Sequence, residues 1–573
     1  MESGWQFRKA LVTSHRGVVA AKHPLAARAG VEMLNRGGNA VDAAVATAFA
    51  IGVIEPWMSG LGGGGYMVVG RPAPPGAAHA ESAASVVEFG MRSPLGAHAE
   101  MFELEDGYDT ELFGWRRVRG QANIHGPRSI AIPGVPAGLA LALKQLGTMP
   151  LAAVLGPAIA LARDGFAVDW TTTLQVALDA ATLRHYDAAA SLFMPDGLPI
   201  VPSNTPAPRL LKQPDLARTL ALLADEGPDA FYRGPVARRI VEDVRRAGGI
   251  LDVEDFARYE ARIAPALVSR APGYEVALSS GPSGGATLAE IAGLIAASPL
   301  GRLGHNTAPY LHLLIEATHA AFEDRLRLLS DEGGWDALTS DAHLSARRAA
   351  IGERAAAPAG TGGASLARAA SSGAPGGPAP DGTGADPTST THLCAADAAG
   401  TMVSLTQTLL SRFGSRVLVP GAGVLMNNGM MWFDPEPGHR NSAAPGRRPL
   451  ANMTPAVVGV EGRPVLAVGA SGGRRIINAV LQLVLNHMEF RMDAQAAIDA
   501  PRMDASGDEV IVDARIPAAV RDDLARRGHR VAAAEESMTP RFFASPVAVA
   551  RDPSTGALTG GADPYHPAAA IGA

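Results

Sequence analysis

Three places in the chain carry a hydroxyl in a setting that could make it a nucleophile. The first is Thr390, within Pro387-Thr388-Ser389-Thr390-Thr391-His392-Leu393-Cys394. A threonine hydroxyl attacks only when a base sits beside it. If the Ser389–Thr390 bond is cut, the new α-amine becomes that base. Its ordinary pKa of about 7.7–8.0 suits general base work near neutral pH. The other two candidates are serines in G-x-S-x-G: Ser283 in Gly281-Pro282-Ser283-Gly284-Gly285, and Ser471 in Gly469-Ala470-Ser471-Gly472-Gly473. Each lies between a strand pattern and a helix pattern, as a nucleophile elbow requires. All three also have plainer readings, glycine-rich turns for the serines and a strand entrance for Thr390. Local chemistry leaves the choice open.

Cofactor and metal chemistry have less to stand on. Gly60, Gly62 and Gly65 match G-x-G-x-x-G, but here the order is helix, glycines, strand. Dinucleotide binding needs strand, glycines, helix, so a backbone packed closely against another strand is the preferred reading. There is no H-E-x-x-H, and His392 with Cys394 makes only two ligands on one strand. No cofactor and no metal are expected.

The elements that must position these residues differ on the two sides of Thr390. Upstream, Ala26 to Asn35 is helical and stops at Gly37-Gly38; Asn39 can cap a second helix, Ala40 to Ile54, buried on most sides. Pro56, the glycine run and a strand at Tyr66 to Val69 follow. Further helices are expected near 138–146, 151–163, 209–248, 287–297 and 309–329, with a strand at Tyr274 to Leu278. From about 355 to 386 the chain is rich in Ala, Gly, Pro and Ser without periodicity, and reads as a flexible linker. Downstream, Thr390–Ala396 and Thr401–Thr408 alternate around Asp397-Ala398-Ala399-Gly400, a hairpin signal. Arg463 to Gly469 is a strand leading through Ser471 into a helix at Ile476 to His487.

Bulk properties narrow the class. With 47% hydrophobic and 18% charged residues the 573-residue chain can fill a large core. A net charge of -6 offers no case for nucleic acid or an anionic membrane surface. A single cysteine, Cys394, excludes an intrachain disulfide. No window is long and apolar enough to span a membrane, and the first residues lack the apolar core of a signal peptide. The expectation is a cytoplasmic protein with a small-molecule substrate.

Beyond these local signals, the chain resembles the γ-glutamyltransferases (γ-glutamyltranspeptidases) nearly end to end. The resemblance rests on Gly37-Gly38-Asn39-Ala40-Val41-Asp42-Ala43-Ala44, Gly60-Leu61-Gly62-Gly63-Gly64-Gly65-Tyr66-Met67, Pro133-Gly134-Val135-Pro136-Ala137-Gly138 and Leu161-Ala162-Arg163-Asp164-Gly165. It continues through Thr390-Thr391-His392, Gly423-Val424-Leu425-Met426-Asn427-Asn428, Arg448-Pro449-Leu450 and Ser471-Gly472-Gly473. It implies an α+β fold, the four-layer αββα sandwich of N-terminal-nucleophile hydrolases. It further implies self-cleavage between Ser389 and Thr390 into a large subunit, 1–389, and a small one, 390–573, that stay together as a heterodimer. Thr390 would be nucleophile and, through its α-amine, base; Thr408 would hydrogen-bond it; Gly472 and Gly473 would form the oxyanion hole. Ser471 would then supply a turn and not a nucleophile.

The donor pocket departs from that family's pattern. Ala99 stands where the resemblance implies an arginine for the glutamyl α-carboxylate. Leu410, Gly429 and Trp432 replace the Asn, Gln and Asp that would hold the amino-acid head group, and Ala451-Asn452 replaces a serine pair. Residues 433–447 are too few for a lid loop. A pocket without those partners binds an α-amino acid poorly. Asn452 and an apolar wall from Trp432 are expected to meet the substrate, with a carboxylate seated by Arg92, Arg412, Arg416 or Arg474. The expected activity is cleavage of γ-glutamyl or related acyl amides, by hydrolysis or transfer to an amine. A cephalosporin- or glutaryl-type acylase is the alternative, and a serine hydrolase using Ser283 or Ser471 the more distant one.

Overall fold

The computed structural model describes residues 7–73, 83–109, 114–356, 389–539 and 541–573. From residue 357 onward the expected linker lies outside the described residues.

Two antiparallel sheets of seven strands each form the centre. The first runs Ala569–Gly572, Gly17–Ala21, Ser389–Asp397, Met402–Leu410, Gly64–Arg71, Ala83–Phe89, Arg262–Pro265. The second runs Val12–Ser14, Leu558–Ala562, Ser545–Arg551, Arg463–Ser471, Ala456–Val460, Tyr274–Leu278, Leu267–Ala271. Side-chain alternation along the strand Ser389–Asp397 explains the layering. Leu393 and Ala395 join the core beneath the helices Pro24–Asn35 and Ala40–Ile54. Cys394 and Ala396, one residue out of phase, join Ala467, Val547 and Val549 of the other sheet in the core between the sheets. The alternation expected over Thr390–Ala396 does not mark a solvent face: every residue of Ser389–Asp397 is buried, because both faces of the strand are covered. On the far side, the helices Gly284–Ile295, Ala308–Leu328 and Arg475–Met488 cover the second sheet. The order of layers is therefore α, β, β, α, as the resemblance implied.

The helix Ala40–Ile54 is buried at every position. Its small side chains let neighbours approach from all directions, and a capping box of Asn39 and Asp42 starts it. The Asp42 carboxylate also accepts the Thr148 and Met149 amides, so its burial leaves no unmet acceptor.

Both sheets contain strands from before and after Thr390. Cutting the chain there would leave the two pieces sharing five strand ladders and four hydrophobic clusters. They would separate only by unfolding. Among the described residues no helix is long and apolar enough to cross a membrane.

Candidate active site

Thr390 sits at an irregularity. Ser389 pairs with Leu410 and Thr391 with Gln407, so two residues, Thr408 and Leu409, face the single Thr390. Such a bulge re-aims side chains. Here it brings the Thr390 hydroxyl 3.3 Å from that of Thr408 and 2.7 Å from the Ser389 carbonyl oxygen. Thr408 also donates to the Ser389 carbonyl and accepts the Leu410 amide at 2.8 Å. With an amide donating to it, the Thr408 oxygen presents its own proton to the carbonyl. The Ser389 side chain is pinned too, donating to the Trp57 carbonyl at 2.5 Å and lying 3.2 Å from the Met58 sulfur.

The glycine run backs this arrangement. A Cβ on Gly63 would meet the Thr408 carbonyl at 2.3 Å, and one on Gly62 the Leu425 carbonyl at 2.1 Å. These glycines pack backbone on backbone, as read from the sequence, with no phosphate-binding helix after them. Asn427 holds the same corner, donating to the Gly62 and Ala131 carbonyls and accepting the Ala131 and Gly429 amides.

Gly472 and Gly473 form the turn between the strand Arg463–Ser471 and the helix Arg475–Met488, with φ of 146° and 58°. A side chain on Gly472 would meet the Cβ of Ala544 at 2.7 Å. Gly472 lines one cleft together with Met58, Arg412, Ser471, Ser545 and His566. Met58 ties that cleft to the Ser389–Thr390 bond. Amides opening a helix favour developing negative charge there.

Beneath the cleft lies a buried charged layer that sequence reasoning missed. Lys22 is fully buried and donates to Ser545, while Glu55 accepts from Thr391 at 3.4 Å. Burial, only partly offset by Asp563, pulls Lys22 down to about 7. Burial likewise pushes Glu55 up to about 7, against the pull of Lys22. His392 bonds to Thr406 at 2.8 Å, and burial followed by the charge of Lys22 lowers it to about 3, so it is neutral. Gly469 makes room for that ring, since a Cβ there would lie 2.2 Å from it. No spacing in the sequence links Lys22, Glu55 and His392, which only the fold brings together.

Several expected site residues do other work. Ser283 caps the helix Gly284–Ile295, accepting the Gly285 amide and donating to the Ser279 carbonyl, so its hydroxyl is occupied structurally. Ser471 lines the cleft, but its hydroxyl turns to the Ser545 carbonyl at 3.4 Å. Arg416 is corrected as a substrate cation: it is 1% exposed and grips Asp179 through Nε and Nη2, with Nη1 on Ser411 and Gly414. Arg92 belongs to a different cavity, beside Tyr259 and Asp255, and donates to the Gly446 carbonyl. Trp432 packs in the core between the sheets with Met430 and Phe433, apart from the residues that line the cleft with Gly472. Asn452 accepts from the buried Arg325 at 3.1 Å. Arg474 caps the helix after Gly473, near Asp504. Arg412, bonded to Gln175 at 2.8 Å, is the arginine of the expected set that lines the cleft with Gly472.

Comparison with known proteins agrees with this architecture. The family profile described as Gamma-glutamyltranspeptidase matches residues 26–573. The chain is 35% identical over 553 residues to an "Acylase ACY 1 proenzyme" of Pseudomonas sp. (strain SE83), covering 96% of this chain and 92% of that protein. It is 31% identical over 576 residues to a "Glutathione hydrolase proenzyme" of Bacillus subtilis (strain 168), covering 97% and 91%. Among solved structures, a cephalosporin acylase from Bacillus halodurans superposes with a TM-score of 0.83 at 27% identity, covering 100% of this chain and 98% of that one. The chain belongs to the γ-glutamyltranspeptidase family.

Proposed function

We propose that the protein cuts its own Ser389–Thr390 bond and that the freed Thr390 then cleaves γ-glutamyl or related acyl amides. The observation that carries this reading is the Ser389 carbonyl held between the hydroxyls of Thr390 and Thr408. Attack by Thr390 Oγ on that carbonyl carbon forms an ester as the C–N bond breaks and the amine takes the proton. Thr408 supports the oxygen while it carries charge. Water then resolves the ester, releasing a Ser389 carboxylate and a Thr390 amine. In turnover the same hydroxyl attacks the substrate amide, the α-amine takes and returns the proton, and the Gly472 and Gly473 amides hold the oxyanion. Water or an amine then releases the acyl group from Thr390.

Within that substrate class, the cleft suits a donor that ends in a carboxylate but lacks an α-amino group, as a glutaryl amide does. Arg412 offers the cation in the cleft, and Leu410, buried beside Thr408 in the core between the sheets, supplies no polar side chain for an amino-acid head group. The relatives named as acylases favour this over a strict γ-glutamyl donor. A denaturing gel with N-terminal sequencing tests the first step: a small band beginning Thr390-Thr391-His392-Leu393, absent in Thr390→Ala, is expected. An uncut yet active chain ends the reading. Comparing glutaryl anilide with γ-glutamyl anilide tests the second step; clear preference for the latter removes the acylase assignment.

A further inference from the structure

Away from the cleft, the helix Ala308–Leu328 carries His312, Glu316 and His319 at i, i+4 and i+7, on one face. His529, just past the helix Ala518–Arg527, closes over them. His312, Glu316 and His529 are all buried, and one ligand-capable atom from each lies within 4.8 Å of the others. The ring of His319 packs edge-on toward His529, with centroids 6.5 Å apart.

The protons in this cluster do not cover its lone pairs. His312 Nε2 lies 2.8 Å from the Gly352 carbonyl, which can only accept, so Nε2 carries a hydrogen and a ring with that single hydrogen has a bare Nδ1. That Nδ1 faces His529 Nε2 at 2.7 Å. If the proton between them belongs to His529, its Nδ1 is bare in turn, and it faces the Glu316 carboxylate at 3.9 Å. His319 bonds to the Gly507 carbonyl, and its Nε2 is buried without a hydrogen-bond partner. Lone pairs converging on a carboxylate in a buried space are costly unless a cation lies among them. A ring whose other nitrogen is fixed by a backbone carbonyl is also oriented as metal-bound histidines are.

We propose that His312, Glu316 and His529 bind a zinc-class divalent transition metal, with His319 as a further donor one helical turn away. Imidazole-rich, thiolate-free and with one carboxylate, the set suits Zn²⁺ or Co²⁺ over Mg²⁺ or Ca²⁺. Zinc–nitrogen bonds of about 2.0–2.1 Å in tetrahedral geometry place nitrogens about 3.3 Å apart. With His312 Nδ1 and His529 Nε2 as donors, the proton between them moves to His529 Nδ1, facing Glu316, and the two rings part by about half an ångström on loading.

The cluster's position gives the metal a structural role. His312, Glu316 and His319 precede Thr390 in sequence, and His529 follows it. Glu316 also accepts the Ala356 amide, and Ala355 donates to the Arg527 carbonyl. The last described residues before position 357 are thus tied to the same cluster. A bound metal would clip the two sides of Thr390 together whether or not the bond there is cut, so this site stands independently of the catalytic reading.

The test uses untagged full-length protein, stripped with a chelator and titrated with Co²⁺ alone. Tetrahedral d–d bands at one equivalent, with a rise in Tm on adding Zn²⁺, are expected in the wild type. Both should be lost in His529→Gln and weakened at least tenfold in His319→Gln, while Arg92→Gln, distant from the cluster, keeps them. Wild-type protein that shows neither bands nor a Tm shift overturns the proposal, whatever the variants do. So does a cobalt spectrum that persists unchanged in a folded His529→Gln or His312→Gln protein.

Discussion

Thr390 Oγ lies 3.3 Å from Thr408 Oγ, and both hydroxyls bond to one acceptor, the Ser389 carbonyl. In the proposed scheme the bond to be broken is thus positioned by the residue that attacks it and by the strand paired with it. Replacing Thr408 with Val keeps the shape and removes the donor. Loss of one oxyanion donor costs about 10²–10³ in rate. Thr408→Val should accordingly show accumulation of the uncut chain over hours on a denaturing gel, with folding unchanged by circular dichroism. Rapid, complete cleavage in that variant would assign the carbonyl's polarisation elsewhere.

Gly472 offers a separate handle on turnover. Its φ of 146° and the Cβ of Ala544, 2.7 Å from any added methyl, make alanine costly there. Gly472→Ala should lower kcat by about 10² or more through displaced oxyanion amides. In the proposed scheme self-cleavage uses Thr408 and not Gly472, so it should persist, which sequencing of the small band would establish.

The two arginines Arg412 and Arg416, four residues apart, should separate stability from specificity. Arg416 and Asp179 form a buried bidentate pair. Removing one partner of such a pair costs about 3–5 kcal/mol, so Arg416→Ala should lower the denaturation midpoint sharply. Arg412 lines the cleft. Arg412→Ala should raise KM for glutaryl anilide about 10–100-fold, the worth of a charge-assisted hydrogen bond, with a much smaller change in Tm.

What the sequence disclosed follows from range. The hairpin around Asp397–Gly400 was readable because its signal is local, and its strands begin and end within one or two residues of the expected bounds. The glycine run was readable because its order relative to helix and strand excludes a cofactor loop. The role of Arg416 was not, because its partner Asp179 is 237 residues away. Ser283 was ambiguous for another reason: a cap and a nucleophile elbow share the same strand–turn–helix grammar, and only its acceptor, the Ser279 carbonyl, distinguishes them. Lys22, Glu55 and the His312 cluster have no signature spacing across the elements that unite them.

Acid sensitivity should trace to His392. An unfolded imidazole takes a proton near pH 6.5, whereas folded His392, buried and near Lys22, resists until about 3. Between those values the unfolded state binds the extra proton, so stability falls as pH falls through that window. One such group contributes a slope of at most about 1.4 kcal/mol per pH unit. His392→Gln should flatten the stability–pH profile between about pH 6 and 4 in urea melts, although it lowers stability at pH 7. An unchanged acid slope would assign it to other buried histidines such as His566, which burial also lowers to about 3.

Leu410 joins the backbone of the site to the selectivity proposed above. It is buried with φ of 89°, a left-handed conformation that a leucine adopts only under constraint. That conformation aims its amide at Thr408 Oγ, so the strain is coupled to the hydroxyl facing the scissile carbonyl. Asparagine tolerates left-handed backbone better and keeps the amide. Leu410→Asn should therefore process normally while placing a carboxamide where a γ-glutamyl head group needs a partner. A hydrogen bond to a charged group is worth about 1.5–3 kcal/mol, so the kcat/KM ratio of γ-glutamyl to glutaryl anilide should rise about 10–100-fold. If the ratio stays fixed while cleavage proceeds, Leu410 shapes the catalytic backbone alone, and selectivity rests on Arg412 and its side of the cleft.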